Sequence, residues 1–312
     1  MKRYFLSAII AIFFIASAPA LLQAQEMAPE KAALYTKYYE LKKGGEEGQK
    51  QAYEVAKEFL QKFGNDDDQY TKAVRAFVAA YEKLSREVPF WKAYNAKDYP
   101  KAFEAGRQAI SADPENFAIL GALARAGYLN AFGGNNTLNA EALGYAKRAL
   151  ELIDANKVSK PDPYASVDDA RGFLNYAMGY LQRDQAPMEA TKALMAAAQI
   201  GSTRNEPSTY YYLAQTILKG DYDPLEKEYN EKYKGKDETP ESKAMYERLI
   251  LVGNRAVDAY ARAVALSTKP EQAKSKSQAM AELTDLYKGL HQGSDAGLSD
   301  LIATVLSKPM PQ

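Results

Sequence analysis

Residues 99–116 read YPKAFEAGRQAISADPEN, and within them Ala102, Gly106, Ala109 and Ile110 fall on one helical stripe before Pro114 blocks further helix. Small side chains at that spacing let a second helix lie close against the first. The pattern returns three times, as Ala142, Ala146, Ala149 and Leu150, as Ala190, Leu194, Ala197 and Ala198, and as Ala256, Tyr260, Ala263 and Val264. One helical pattern repeated along a chain is the signature of stacked helical repeats, and it speaks to shape more than to chemistry.

Working outward, Ala, Leu, Lys, Glu and Gln dominate the chain, and alternating Val/Ile/Thr runs bounded by turns are absent, so the expected class is all-α. The periodicity predicts helices over residues 28–42, 47–63, 68–87, 99–112, 115–131, 139–154, 165–183, 187–200, 207–219, 240–267, 271–290 and 295–307. Breakers stand between them: Gly44 with Gly45, Gly64 with Asn65, Pro114, Gly133 through Asn136, Pro161 with Pro163, Gly201, Pro270 and Gly293. The implied arrangement is a series of antiparallel helix pairs.

Of 312 residues, 46% are hydrophobic and 26% charged, enough apolar material for a packed interior. Basic and acidic residues balance at 40 each, so the chain as a whole offers no attraction for nucleic acid or for an acidic membrane. There is no cysteine, which excludes disulfides, thiolate metal sites and a lipidated cysteine.

The N-terminus has the pattern of an export signal. Lys2 and Arg3 precede an apolar run over residues 4–15, then Ser17, Ala18, Pro19 and Ala20 break it. Cleavage after Ala24 suits Leu22, Gln23 and Ala24; cleavage after Ala20 is the alternative, and an uncleaved anchor is the competing reading. Removal of residues 1–24 takes away only Lys2 and Arg3, leaving 38 basic against 40 acidic residues and a formal charge of −2. The expected location is the periplasm or outside the cell, with no membrane span left in the mature chain, residues 25–312, taken as a single repeat domain.

The segment from Ala102 to Pro114 resembles the tetratricopeptide repeat family, built of helix pairs of 34 residues, and Lys97, Asp98 and Tyr99 resemble the family's turn between helices. Ala52, Ala56, Phe59 and Leu60, ending in Gly64, make a weaker match. First-helix signatures fit at Leu123 with Ala124 and at Leu213 with Ala214, while Tyr176 with Ala177 and Tyr180 is only similar. The marks at Ala52, Ala102, Ala142, Ala190 and Ala256 lie 50, 40, 48 and 66 residues apart, so insertions interrupt the array, notably near residues 132–137 and across a charged stretch at 221–248. The resemblance implies an α-solenoid, a right-handed superhelix of stacked pairs.

It also implies a concave face lined by the first helices. Carried over onto the matching positions, that face would present Arg125 and Tyr128, Met178 and Gln182, and Tyr211, Gln215 and Lys219, an aromatic, amide and cationic lining suited to a polypeptide. Tyrosine is plentiful, with 23 in the chain, and two roles compete for it: wedging between helices with the hydroxyl wet, or recognition. Tyr210, Tyr211 and Tyr212 cannot all face one neighbour, since each helical step turns about 100°.

Catalytic motifs are nearly absent. His291 is the only histidine, at a helix end where a capping role suits it. No GxSxG, SxxK or phosphate-cradling loop occurs. The acidic run Asp66, Asp67, Asp68 lacks the alternation of a calcium loop and suits a helix N-terminus instead. Glu241 with Ser242 resembles the glutamate and serine of lytic transglycosylases, without that family's glycine-rich continuation. In the charged stretch, Tyr229 and Tyr233 would share a face if it is helical. The expected function is a noncatalytic scaffold or adaptor of the cell envelope that binds a protein or peptide, with no cofactor, metal or nucleic acid; a part in processing cell-wall polymer is the alternative.

Overall fold

The computed structural model describes residues 27–311, so the expected export signal at residues 1–24 lies outside the described residues. Those residues are all-α, with no strand among them, and the chain divides into two compact units between Val88 and Pro89.

The first unit holds α1 (Pro29–Leu41), α2 (Glu46–Phe63) and the larger part of α3 (Gln69–Asn95). Its core is Tyr38, Ala52, Val55, Ala56, Phe59, Tyr70, Val74 and Phe77. Aromatic edges lock it, Tyr35 against Tyr70 at 5.0 Å and Tyr38 against Phe77 at 5.1 Å between ring centroids. The acidic run forms the entry to α3. Asp68 Oδ1 accepts the backbone N–H groups of Tyr70 and Thr71, both at 2.9 Å, satisfying donors that a helix start leaves open. Buried Lys31 reaches this loop from α1, its Nζ 2.5 Å from Asp66 and also bonded to Asp68.

Pro89 lies inside α3, where its ring has no N–H to return to the preceding turn, and the boundary between the units falls at that missing hydrogen bond. The helix predicted over residues 68–87 ends beside this boundary, whereas α3 itself continues through Pro89 to Asn95.

The second unit continues with α4 (Tyr99–Ala112), α5 (Phe117–Phe132), α6 (Asn139–Asp154), α7 (Val167–Gln182), α8 (Pro187–Ala197) and α9 (Pro207–Ile217). After a wide π turn (Leu218–Tyr222) come α10 (Asp223–Tyr233), α11 (Pro240–Leu266), α12 (Ala273–Leu290) and the short α13 (Leu298–Thr304). Helix starts are chemically marked: Asp98, Asn116 and Ser166 each accept a backbone N–H of the first turn of α4, α5 and α7, and Thr239 forms a reciprocal box with Ser242 at α11. Each helix from α4 to α9 packs on the next, α9 then packs on α11 and α11 on α12, and α5 also touches α7.

Small residues set these contacts, in agreement with the opening pattern. Ala102, Gly106 and Ala109 are all buried, and a Cβ added to Gly106 would lie 2.8 Å from the Leu123 side chain of α5. At Gly127 of α5 it would lie 2.2 Å from the Ala142 Cβ of α6, at Gly179 of α7 2.4 Å from Leu194 of α8, and at Gly253 of α11 2.8 Å from Leu290 of α12. Real Cβ atoms essentially never come so near: at Gly127 the Ala142 Cβ cannot move aside, so α5 and α6 are closer there than a side chain would allow, while at Gly106, Gly179 and Gly253 a leucine side chain would have to shift. The helix α5 buries residues on every side, including Leu120, Ala122, Leu123, Ala124 and Ala126, and is wrapped by α4, α6 and α7.

Within the charged stretch at 221–248, α10 is a helix the periodicity did not predict. Asp223, Pro224 and the lysine and glutamate surface give it no broad apolar face, and Leu225 alone is buried. Tyr229 and Tyr233 share a face, 5.8 Å apart, and Tyr229 meets Tyr246 of α11 at 5.7 Å.

Two outcomes test this packing. Gly127→Ala should lower stability by about 1–3 kcal/mol, because the Ala142 methyl has no room to yield. Gly144→Ala, where a Cβ meets nothing within 4 Å on the exposed side of α6, should raise it by about 0.5–1 kcal/mol. Chemical denaturation followed by circular dichroism reads both signs. In the first unit, burial opposes ionisation of Asp68, but Lys31 and the two backbone donors outweigh it and hold the carboxyl below the usual range. Its contribution is therefore present above about pH 4 and lost as pH falls through the lowered folded value. Lys31→Met should lower stability at pH 6 and flatten the acid limb of the stability curve.

Candidate functional site

In the second unit, three helices carry a stripe at the same spacing: Arg125, Tyr128 and Phe132 on α5, Phe173, Tyr176 and Tyr180 on α7, and Ser208, Tyr211 and Gln215 on α9. Positions three and seven residues apart share a helix face, so each stripe points one way along its helix. The rings touch from helix to helix. Tyr128 lies 5.7 Å from Phe173, 5.4 Å from Tyr176 and 5.1 Å from Tyr180; Tyr180 lies 4.9 Å from Tyr212, Tyr212 5.4 Å from Tyr211, and Tyr211 5.9 Å from Tyr260 of α11. Most of these pairs meet edge to face, the geometry that the ring quadrupole favours. Tyr164, before α7, extends the run past Phe173 at 5.6 Å and donates to the Gly121 carbonyl.

Cations flank the rings. The Arg125 guanidinium is 5.7 Å from the Phe173 ring, and that of Arg183 lies 3.8 Å over the Tyr180 ring while donating to the Tyr180 carbonyl. Phe132, 62% exposed at the end of α5, leaves an apolar ring open to solvent at one end of the run. The hydroxyls form a polar edge. Tyr128 and Tyr176 share a hydrogen bond of 3.3 Å, and Tyr176 donates to Ser208. Glu282 of α12 accepts from Tyr211 at 2.8 Å, from Tyr260 at 2.5 Å and from Gln278 at 3.1 Å, while Gln215 and Gln278 both donate to the Tyr211 oxygen.

Of the seven residues expected on this face, Arg125, Tyr128, Tyr211 and Gln215 belong to the run, and Lys219 lies just past its end, paired with Asp184 at 2.8 Å. Met178 and Gln182 are on a different side of α7. Met178 packs into the core around Phe117, Leu120 and Leu174, because positions 178 and 182 are turned away from the stripe of 173, 176 and 180. The residues the sequence reading missed are Phe132, Phe173, Tyr176, Tyr180, Tyr212, Arg183 and Glu282. A signal for several of them was present: the three-and-seven spacing on α7 repeats that of Arg125, Tyr128 and Phe132. Among the three consecutive tyrosines, Tyr210 is the one turned away, buried with its hydroxyl on the Ala198 and Arg204 carbonyls.

Other sequence features take structural roles. The Ser242 hydroxyl is bound within the α11 cap, donating to the Thr239 carbonyl. His291 ends α12 with its ring stacked on Tyr287 at 3.9 Å. Among the described residues no group of three or more His, Cys, Asp or Glu could hold a metal ion, and no helix is long and apolar enough to cross a membrane. No protein-family model, curated protein or solved structure matches the chain.

Burial pushes up the hydroxyls of Tyr128, Tyr176, Tyr211 and Tyr260, and takes that of Tyr212 up to about 12; for Tyr211 and Tyr260 the Glu282 carboxylate adds to the effect. The face therefore carries neutral phenols that donate hydrogen bonds. Raised folded values mean that this stabilisation is whole below the unfolded tyrosine value of about 10 and is lost as pH rises toward 12. At pH 11, tyrosinate absorbance of the native protein should fall short of that of the unfolded chain, and Tyr212→Phe should narrow the gap.

Proposed function

We propose that the chain is a noncatalytic scaffold or adaptor of the cell envelope, exported to the periplasm or secreted, that binds a protein or peptide along the ringed face of α5, α7 and α9. The helices from α4 onward are taken as tetratricopeptide-like pairs stacked in a right-handed superhelix, with α5, α7 and α9 as the first helices lining its concave side. Two features support that arrangement: neighbours in sequence are neighbours in space, and α5 reaches past its partner α6 to touch α7.

The observation that carries the function is the continuous run of rings from Tyr164 to Tyr260, edged by phenol hydroxyls, amides, Arg125 and Glu282. Tyrosine offers large rigid contact area with little rotamer entropy to lose and a polar tip for backbone groups, which is why it is favoured where polypeptides are bound. A face of this kind needs no reactive group.

A photo-crosslinking residue in place of exposed Phe132, in cells, should capture a defined envelope protein. The double change Arg125→Ala, Tyr211→Ala should weaken that complex about tenfold or more while the folded helix content is retained, as expected when a central aromatic anchor is lost. Absence of any captured protein, or turnover of cell-wall fragments by the purified chain, would overturn the proposal.

A further inference from the structure

Adjoining the ringed face, and sharing Arg183, Gln215 and Tyr260 with it, the second unit contains a cleft of about 470 Å³ near Lys219. It is walled by Arg183 and Asp184 after α7, Gln215 and Thr216 of α9, Leu218 and Lys219 of the π turn, Asp223 at the start of α10, and Tyr260 of α11. That volume is within the range of small-molecule sites. The walls come from five parts of the fold, and the π turn decides their chemistry. Its hydrogen bond runs from the Asp223 N–H to the Leu218 carbonyl, one residue wider than an α turn, and both Lys219 and Asp223 thereby line the cleft.

The charges there are unevenly distributed. Asp184 serves two cations, Lys219 at 2.8 Å and Arg183 at 3.8 Å, which leaves one positive charge in excess on that wall. Asp223, exposed at the start of α10, has no ion-pair partner among the described residues, and partial desolvation raises its carboxyl above the usual range. Between them lie polar and apolar groups. Gln215 uses its amide nitrogen on Tyr211, which leaves the amide oxygen as an acceptor, and Leu218 supplies an apolar surface.

Four charges sum to zero, yet one cation and one anion lack a counterpart. We propose that this cleft is a binding site for a small zwitterion, a free amino acid or a dipeptide, whose carboxylate joins Arg183 and Lys219 and whose ammonium group pairs with Asp223 and the Gln215 oxygen. A ligand with both charges completes each pair and leaves the complex neutral. A simple anion would leave Asp223 unpaired, and a simple cation would leave the Arg183 and Lys219 wall in excess. The site does not depend on polypeptide binding along the rings.

Ligand-observed NMR titration of the mature protein tests it with L-leucine, L-lysine, L-glutamate and the dipeptide Gly-Leu, each beside its N-acetyl and C-terminal amide derivative. At least one zwitterion should bind, and blocking either end should weaken it about tenfold or more. Whether a free amino acid or Gly-Leu binds more tightly separates the two sources. Lys219→Gln should abolish the preference for a free carboxylate and Asp223→Asn the preference for a free ammonium; both positions are exposed enough for the fold to persist, which circular dichroism checks. No binding by any of the four zwitterions, equal binding of the blocked forms, or unchanged preferences in both variants would overturn the site. If the Phe132 crosslink survives any of these outcomes, the scaffold reading stands without the cleft.

Discussion

The constraint on which the second unit depends is how near two helix backbones can come. At Gly127 and Ala142 the space left is smaller than one methyl group, and at Gly179 and Leu194, Gly106 and Leu123, and Gly253 and Leu290 it is little larger. Dispersion attraction is short-ranged, so a helix pair held this close gains contacts along its whole length that a bulkier seam would forfeit. The glycines cost helix propensity, roughly 0.5–1 kcal/mol each against alanine, and the close approach offsets it.

Tight seams on one side of a helix free the other side for large residues. On α5, Gly127 meets Ala142 of α6, and Tyr128, about 100° further round, turns toward α7; on α7, Gly179 meets Leu194 of α8 while Phe173, Tyr176 and Tyr180 meet the rings of α5 and α9. The tyrosines of the ringed face divide between core and rim: Tyr176, Tyr180 and Tyr260 are buried, Tyr128, Tyr211 and Tyr212 are half-buried, and the hydroxyls of Tyr128, Tyr176 and Tyr211 bond to side chains at the edge.

Helix positions were legible because amphipathic spacing and local caps operate over a few residues. Asp98, Asn116 and Ser166 cap where Asp, Asn or Ser is favoured, and Pro100, Pro187, Pro207 and Pro240 sit in first turns. The missed helix α10 lacks such spacing, since its charged surface looks alike on all sides and Leu225 alone enters the core. The site was half legible. Arg125, Tyr128, Tyr211 and Gln215 lie in the ringed run, whereas Met178 and Gln182 lie on another side of α7, where a shift of a few positions turns a side chain to another face. Glu282 had no signal at all, because it joins α12 both to Tyr260 on the preceding α11 and to Tyr211 on α9, 71 residues earlier.

The helix α5, apolar apart from Arg125 and Asn130, has a further consequence during synthesis. A rod of this kind is left sticky until partners have formed on several sides, and here those partners are the segments made just before and just after it. Contacts between near neighbours along the chain close quickly, so the interval in which α5 could adhere to other molecules is brief. A circular rearrangement that placed α5 at a new terminus, separated from α4 and the Gly106 seam, would lengthen that interval and invite aggregation even if the finished fold were unchanged.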